Sequence, residues 1–254
     1  MARKLGQHFL INPDTSRRIA DLLSLEPSEK VLEIGPGRGA LTDFLLDEDI
    51  YLTAVELDKY FADKIQEKYG DKVRVINEDF LKINLADFSP EKICGNLPYQ
   101  ITGPILEKVL TDPYPWTRAV FMIPDAVARR ATAAPGDSDY SAISVMTGGG
   151  FSVNYAFSVP PEDFDPPPKI ESGVIVVIRE SGPEDEKFYH FTRAAFSRRR
   201  KKLRNSLSIS LELSKDAVEA VLKDCSIDGN LRPQDLSFKE YKRLFTGFVK
   251  NKLF

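Results

Sequence analysis

The sequence predicts an open α/β domain with a doubly wound sheet, followed by a small all-helical domain. Three observations carry this. The apolar run Lys30-Val31-Leu32-Glu33-Ile34 ends in Gly35-Pro36-Gly37-Arg38-Gly39 and a helical stretch. Polar residues recur at the ends of the runs that follow, at Glu56, Asp79 and Asn96. Beyond the breaker-rich Glu180-Ser181-Gly182-Pro183-Glu184-Asp185-Glu186, only helical periods remain. Strands with polar residues at their C-terminal ends describe the crevice where open α/β sheets bind ligands.

The composition is that of an ordinary globular chain, with 254 residues, 42% hydrophobic and 29% charged. Apolar runs are too short to span a bilayer, and the basic Met1-Ala2-Arg3-Lys4 lacks the apolar stretch of a signal peptide. Two cysteines, Cys94 and Cys225, and two histidines, His8 and His190, argue against a disulfide framework and a zinc site, and fit a reducing cytosol. The net charge of −3 hides an asymmetry: residues 1–187 carry −11 and residues 188–254 carry +8. A basic segment of that kind suits a polyanionic partner.

Taken in order, Lys4-Leu5-Gly6-Gln7-His8-Phe9-Leu10 reads as an ordered arm. Asp14-Thr15 can cap a helix over 15–25, with Ile19, Leu22 and Leu23 on one face. The strand at 30–34, the glycine turn and a helix at 40–46 make a site for an anionic group, because backbone N–H groups face the ligand and glycine permits close approach. Gly35-x-Gly37-x-x-Ala40 also fits the loose dinucleotide pattern. A second strand, 51–55, ends at Glu56, 21 positions after Gly35, where a carboxylate accepts hydrogen bonds from ribose hydroxyls. A helix over 60–69 and a third strand, 72–77, lead to Asp79, placed to accept from an adenine amino group, with Phe80 beside the ring.

The fourth strand delivers Asn96-Leu97-Pro98-Tyr99. Asn supplies a carbonyl acceptor for an N–H, Pro fixes the turn, and Tyr offers a ring on which a base can stack. A fifth strand at 120–123, a helix at 124–133 and closing strands at 151–157 and 173–178 follow. Between the closing strands, Pro160-Pro161 and Pro166-Pro167-Pro168 make a stiff loop that presents Phe164. Helices are expected at 188–196, 202–213, 215–222 and 237–249. Seven of the twelve residues from Arg193 to Arg204 are basic, and Lys250-Asn251-Lys252 is a weaker patch.

Glu33-Ile34-Gly35-Pro36-Gly37-Arg38-Gly39 resembles the glycine motif of S-adenosylmethionine-dependent methyltransferases, and Asn96-Leu97-Pro98-Tyr99 the catalytic motif of those acting on exocyclic amino groups. With Gly6-Gln7-His8-Phe9-Leu10 ahead of them, the chain resembles the ribosomal RNA adenine dimethyltransferases. Asp139 to Val145, Val159 to Lys169 and Phe196 to Leu207 are similar to that family's later motifs. Two stretches depart from it: Ile123-Pro124-Asp125, at a helix start, and Met146-Thr147-Gly148-Gly149-Gly150, in place of a bulkier strand, both expected on the substrate side of the sheet.

The resemblance implies a class I, Rossmann-like methyltransferase with a doubly wound seven-stranded sheet. It places an S-adenosylmethionine-binding domain with its arm at 1–180 and a helical RNA- and ribosome-contacting domain at 187–254. It implies a soluble monomer in the cytoplasm acting on small-subunit ribosomal RNA or its precursor particle. Two adjacent adenines near the RNA 3′ end would each receive two methyl groups at N6. His8, Leu10, Gly35, Gly37, Glu56, Asp79 and Asn96 would bind the cofactor. The Asn96 oxygen and the Leu97 or Pro98 carbonyl would accept the amino N–H groups, with Tyr99 stacking on one face of the base and Phe164 on the other. Arg198, Arg199, Arg200, Lys201, Lys202 and Arg204 would contact RNA phosphates. Rival readings are the same chemistry on large-subunit RNA, a non-catalytic assembly or nucleic-acid-binding factor, and a dinucleotide-dependent oxidoreductase.

Overall fold

The computed structural model describes residues 8–254; Lys4-Leu5-Gly6-Gln7 of the expected arm lie outside them. Chain contacts separate the described residues into two units, one running to Arg129 and adding Phe151–Gly182, the other made of Arg130–Gly150 and Pro183–Phe254.

The first unit begins with β1 (Phe9–Leu10) and α1 (Pro13–Asp21). Asn12, not Asp14-Thr15, caps this helix: its side chain accepts from the N–H groups of Asp14 and Thr15, and Pro13 supplies a helical φ at the first position. β2 (Lys30–Ile34), β3 (Tyr51–Val55) and β4 (Val73–Ile76) are mutually parallel neighbours. The short helix α2 (Thr42–Leu45) follows β2, and α3 (Lys59–Tyr69), capped by Asp58, follows β3. β5 (Lys92–Asn96) then pairs with the other side of β2, and α4 (Thr102–Thr111) leads to β6 (Arg118–Pro124). α5 (Asp125–Thr132) and α6 (Ala142–Thr147) precede β7 (Phe151–Val159), β8 (Phe164–Asp165) and β9 (Ser172–Arg179).

The seven-stranded sheet has the order β4-β3-β2-β5-β6-β9-β7, with β9 antiparallel to both β6 and β7. The chain winds outward from β2 to β4, then restarts at β5 and winds the other way. The expected doubly wound α/β fold therefore forms, and its order reverses between β2 and β5, where such sheets open a crevice. Residues 31–34 of β2, all of β5 but Asn96, and residues 119–124 of β6 are buried, as strands covered on both faces require. One core cluster joins Val31, Cys94, Val120, Met122 and Val174 to Leu10 of the arm and to Phe164.

β8 pairs antiparallel with β1, setting Phe164 opposite Leu10. The proline loop thus buries Phe164, at 2% exposure, instead of presenting it. Burial among aliphatic side chains outweighs display because a phenylalanine ring loses hydrophobic stabilisation whenever it stays in water.

The second unit holds α6 with α7 (Glu186–Phe196), α8 (Leu203–Ser210), α9 (Lys215–Asp224) and α10 (Phe238–Lys250). Phe188, Phe191, Tyr241 and Phe248 are its largest fully buried side chains. Met146-Thr147-Gly148-Gly149-Gly150 belongs here, as a helix end and turn and not as a strand on the substrate side. A Cβ on Gly149 would stand 2.5 Å from the Phe238 ring, so this glycine lets the chain pass close to α10. Ile123 and Pro124, the other departure, are the buried end of β6.

Candidate active site

Two adjoining clefts open along the C-terminal ends of β2, β3 and β5, about 820 and 680 Å³ with their mouths included. Gly35, Glu56 and Pro98 line both. The first also takes His8, Leu10, Gly37, Asn96, Leu97 and Tyr99; the second takes Asp79 and Phe80. Of the eleven residues implied for cofactor and catalysis, the structure gathers all here except Phe164.

Gly35 has φ +64°, and nothing lies within 4 Å of where its Cβ would be. The loop therefore leaves a cradle that a side chain would fill. A Cβ on Gly37 would stand 3.0 Å from the Phe9 ring, which the arm lays across the loop. Arg38 reinforces that placement, stacking 4.3 Å from the Phe9 ring centre and reaching Asp165 at 2.7 Å.

The charge of the cleft differs from the anion site that the glycine turn promised. The Gly37 N–H donates to Glu56 Oε2 at 3.1 Å, and the Asp58 N–H to Glu56 Oε1 at 2.9 Å. α2 itself is short, running only from Thr42 to Leu45. A second carboxylate, Glu33, lines the first cleft while only 2% exposed. The Thr42 hydroxyl donates to it at 2.6 Å. Burial pushes Glu33 up to about 7, against the pull of Thr42 and with the nearby Glu56 charge adding to the rise; burial also raises Glu56. The Glu56 carboxylate, joined by Glu33 once it has lost its proton, repels a pyrophosphate and attracts a cation. The dinucleotide reading is therefore unsupported, and a sulfonium- or ammonium-bearing ligand fits. Sequence reasoning missed Glu33 as a site residue, although a glutamate inside Val31-Leu32-Glu33-Ile34 was the signal.

Glu33 makes the ligand-free protein less stable as pH rises. Between its ordinary value of 4.5 and about 7, the folded chain holds a proton that the unfolded chain has released. Stability is then lost through that window, by about 3 kcal/mol. Denaturant unfolding at pH 5 and pH 8 should show this loss, and Glu33→Gln should remove most of it. Equal pH slopes in both proteins would count against a buried, protonated Glu33.

At the catalytic turn, Asn96 ends β5 and the Leu97 N–H donates to the Met122 carbonyl at 3.0 Å. Asn96 Nδ2 donates to the His8 carbonyl at 3.2 Å, and its Oδ1 has no partner among the described residues. The Pro98 carbonyl accepts both the Ile101 N–H, at 3.1 Å, and the Thr102 hydroxyl, at 3.0 Å. With both its lone pairs engaged, Pro98 is spent as an acceptor. Asn96 Oδ1 and the Leu97 carbonyl have no partner among the described residues.

Tyr99 is half-buried, its ring centre 5.6 Å from that of His8 and its hydroxyl 2.5 Å from Ser172 Oγ. His8 Nδ1 lies 2.7 Å from the Pro166 carbonyl. Asp79 accepts the Leu81 N–H at 3.0 Å through one oxygen, leaving the other toward a ligand.

The basic run lies in the second unit and is not uniform. Arg198, Arg200, Lys201 and Lys202 are exposed, although Lys202 Nζ donates to Asn230 Oδ1 at 2.9 Å. Arg199 instead donates to the carbonyls of Asp137 and Ser138, and Arg204 pairs with Glu219 at 3.6 Å. Arg199 is thereby engaged within its own unit, while Arg204 makes only a long ion pair.

Comparison with known proteins agrees with this geometry. The family model "Ribosomal RNA adenine dimethylase" matches residues 1–250. A ribosomal RNA small subunit methyltransferase A from Parabacteroides distasonis is 39% identical over 95% of this chain and 91% of its own length. A protein of the same name from Chlorobium phaeobacteroides is 37% identical, over 96% and 92%. Among solved structures, a dimethyladenosine transferase from Plasmodium falciparum superposes with a TM-score of 0.79 at 24% identity, covering 96% of this chain and 98% of that one. The 23S rRNA methyltransferase ErmE gives 0.65 at 28% identity, covering 95% and 99%.

Proposed function

The chain belongs to the ribosomal RNA adenine dimethylase family, and from that premise we propose that it transfers methyl groups from S-adenosylmethionine to N6 of two adjacent adenines near the 3′ end of small-subunit ribosomal RNA. The observation that carries this is the pair of acceptors at the turn, Asn96 Oδ1 and the Leu97 carbonyl, beside a cleft lined by two carboxylates. An exocyclic amino group has two N–H bonds and two acceptors meet them.

The bound cofactor supplies an electrophilic methyl on a sulfonium. Gly35, Gly37, His8 and Leu10 would hold its methionine end, Glu56 its ribose and Asp79 its adenine. A cation in the cleft would draw the proton off Glu33, which would then add negative charge to the same cleft. Asn96 and Leu97 would draw the amino nitrogen out of conjugation with the purine and toward a pyramidal shape, which exposes its lone pair. Tyr99 would stack on the base. The work of these residues is positioning and electrostatics, and a titrating base is not needed if the proton departs after the methyl arrives. Phe164 has no place in this account, since its ring is in the core.

In this reading the first unit carries cofactor and catalysis and the second carries RNA contact, and the protein works as a cytoplasmic monomer. Among the described residues no helix is long and apolar enough to cross a membrane. The test is transfer of labelled methyl to small subunits from cells lacking the modification, with large subunits alongside. Label recovered as N6,N6-dimethyladenosine in small-subunit RNA supports the reading. Label on large subunits moves the substrate to the other particle, and cofactor binding without transfer favours a non-catalytic factor.

The exposed side chains of Arg198, Arg200 and Lys201 make no hydrogen bond or ion pair to the described residues, so they are the ones of the run assigned to phosphate. Replacing all three by alanine should raise KM for small subunits about tenfold or more at 0.1 M salt and leave kcat within about twofold. The slope of log affinity against log salt should fall by about 2. Arg199→Ala should act through stability instead, and an unchanged salt slope in the triple variant would remove this assignment.

A further inference from the structure

Ser172 opens β9 and is fully buried, at 0% exposure. It is a hydroxyl at the head of an apolar strand, followed by Gly173 and then Val174 to Ile178. A buried hydroxyl costs about 1–3 kcal/mol unless it is hydrogen-bonded. Its one side-chain partner among the described residues is the Tyr99 hydroxyl, at 2.5 Å, and either oxygen can donate. The backbone beneath Ser172 is held from both sides. Residue 172 stands in register with Pro124 of β6 and Val159 of β7, and the Asp125 N–H donates to the Glu171 carbonyl at 3.0 Å. A fixed oxygen at the head of an interior strand thus meets a ring that rides on the Asn96 to Tyr99 turn.

We propose that Ser172 is a positioning residue for the Tyr99 ring, and through it for the second methyl transfer to each adenine; this rests on the function proposed above. A ring attached only at Cβ can pivot about two side-chain torsions. A ring anchored also at its hydroxyl has its plane set, and a base stacked on it takes the same tilt. In the first transfer the amino group presents two N–H bonds to Asn96 Oδ1 and the Leu97 carbonyl, which orient it without help. Once one methyl is attached, one N–H remains and one acceptor goes unused. The monomethylated base is then oriented chiefly by stacking, so the tilt of Tyr99 matters most at this step. Small misplacements of reacting groups carry large rate costs.

The experiment compares wild type, Ser172→Ala, Tyr99→Phe and the double variant on unmodified small subunits, following mono- and dimethyladenosine separately in time. Cofactor affinity and thermal unfolding are measured on the same proteins. Each single variant should slow the first transfer by about threefold and the second by about tenfold or more, with monomethyladenosine accumulating. Cofactor affinity should not move. The double variant should be no worse than the single ones, because both remove the same bond. Tyr99→Phe breaks that bond without touching β9, so it stands should Ser172→Ala fold poorly. A wild-type product ratio in Ser172→Ala, or losses that multiply in the double variant, would overturn the proposal while leaving the methyltransferase reading intact. No transfer by the wild type would remove both.

Discussion

Asn96→Ala should lower methyl transfer at saturating cofactor about a hundred- to a thousandfold while the protein still folds. The magnitude is that of removing one preorganised polar group aimed at a reacting centre. Among the described residues the Asn96 side chain makes a single hydrogen bond, from Nδ2 to the His8 carbonyl at 3.2 Å, so its loss costs the scaffold about 1 kcal/mol. What disappears is Oδ1, one of the two acceptors that the amino group meets. Asn96→Asp separates the two contributions. It keeps an acceptor but replaces the Nδ2 donor by a charged oxygen facing the His8 carbonyl. Its rate should fall between alanine and wild type, with weaker seating of the arm. The measurement is single-turnover methyl transfer at saturating cofactor, with cofactor affinity determined separately. An alanine variant retaining more than about a tenth of the wild-type rate would show that Asn96 is not the main acceptor.

The cleft beside the Asn96 to Tyr99 turn was legible because its elements are local. Val31 to Ile34 and Ile93 to Gly95 are contiguous buried runs, Leu52, Ala54 and Val55 are buried in the strand between, and Glu56 and Asn96 mark strand ends. Features that depend on distant partners were not legible. The Gly37 N–H is taken by a carboxylate 19 positions away, which turns an apparent anion site into an acidic cleft. The choice between the Leu97 and Pro98 carbonyls hung on Thr102, whose hydroxyl position follows from the start of α4. The basic run was read by counting charges, but a count does not reveal that Arg199 reaches back to residues 137 and 138. One error was avoidable. Ser141 and Ser144 form a capping box, a local helix-start pattern, and the three glycines after it drew the reading toward a weak strand.

Phe164→Ala destabilises the protein by about 3–5 kcal/mol, the range for removing a phenylalanine ring from a packed core. The ring is 2% exposed, it belongs to the cluster containing Ile19, Val31 and Val159, and its strand pairs with the arm at Leu10. Part of the cost falls locally. With β8 loosened, His8 and Leu10 lose their support over the cleft, so cofactor binding should weaken along with stability. Phe164→Leu decides between core and base-stacking roles. Leucine fills most of the space and should cost about 1–2 kcal/mol. A stacking ring would behave differently, since base–aromatic contact is worth about 1–3 kcal/mol and leucine offers no flat π-face. If Phe164 is core, the leucine variant, assayed well below its unfolding temperature, keeps kcat/KM for small subunits within about threefold of wild type. If the ring leaves the core to stack on the adenine, kcat/KM falls about ten- to a hundredfold with little loss of stability. The burial of the ring, against a cleft it does not line, leads us to expect the first outcome.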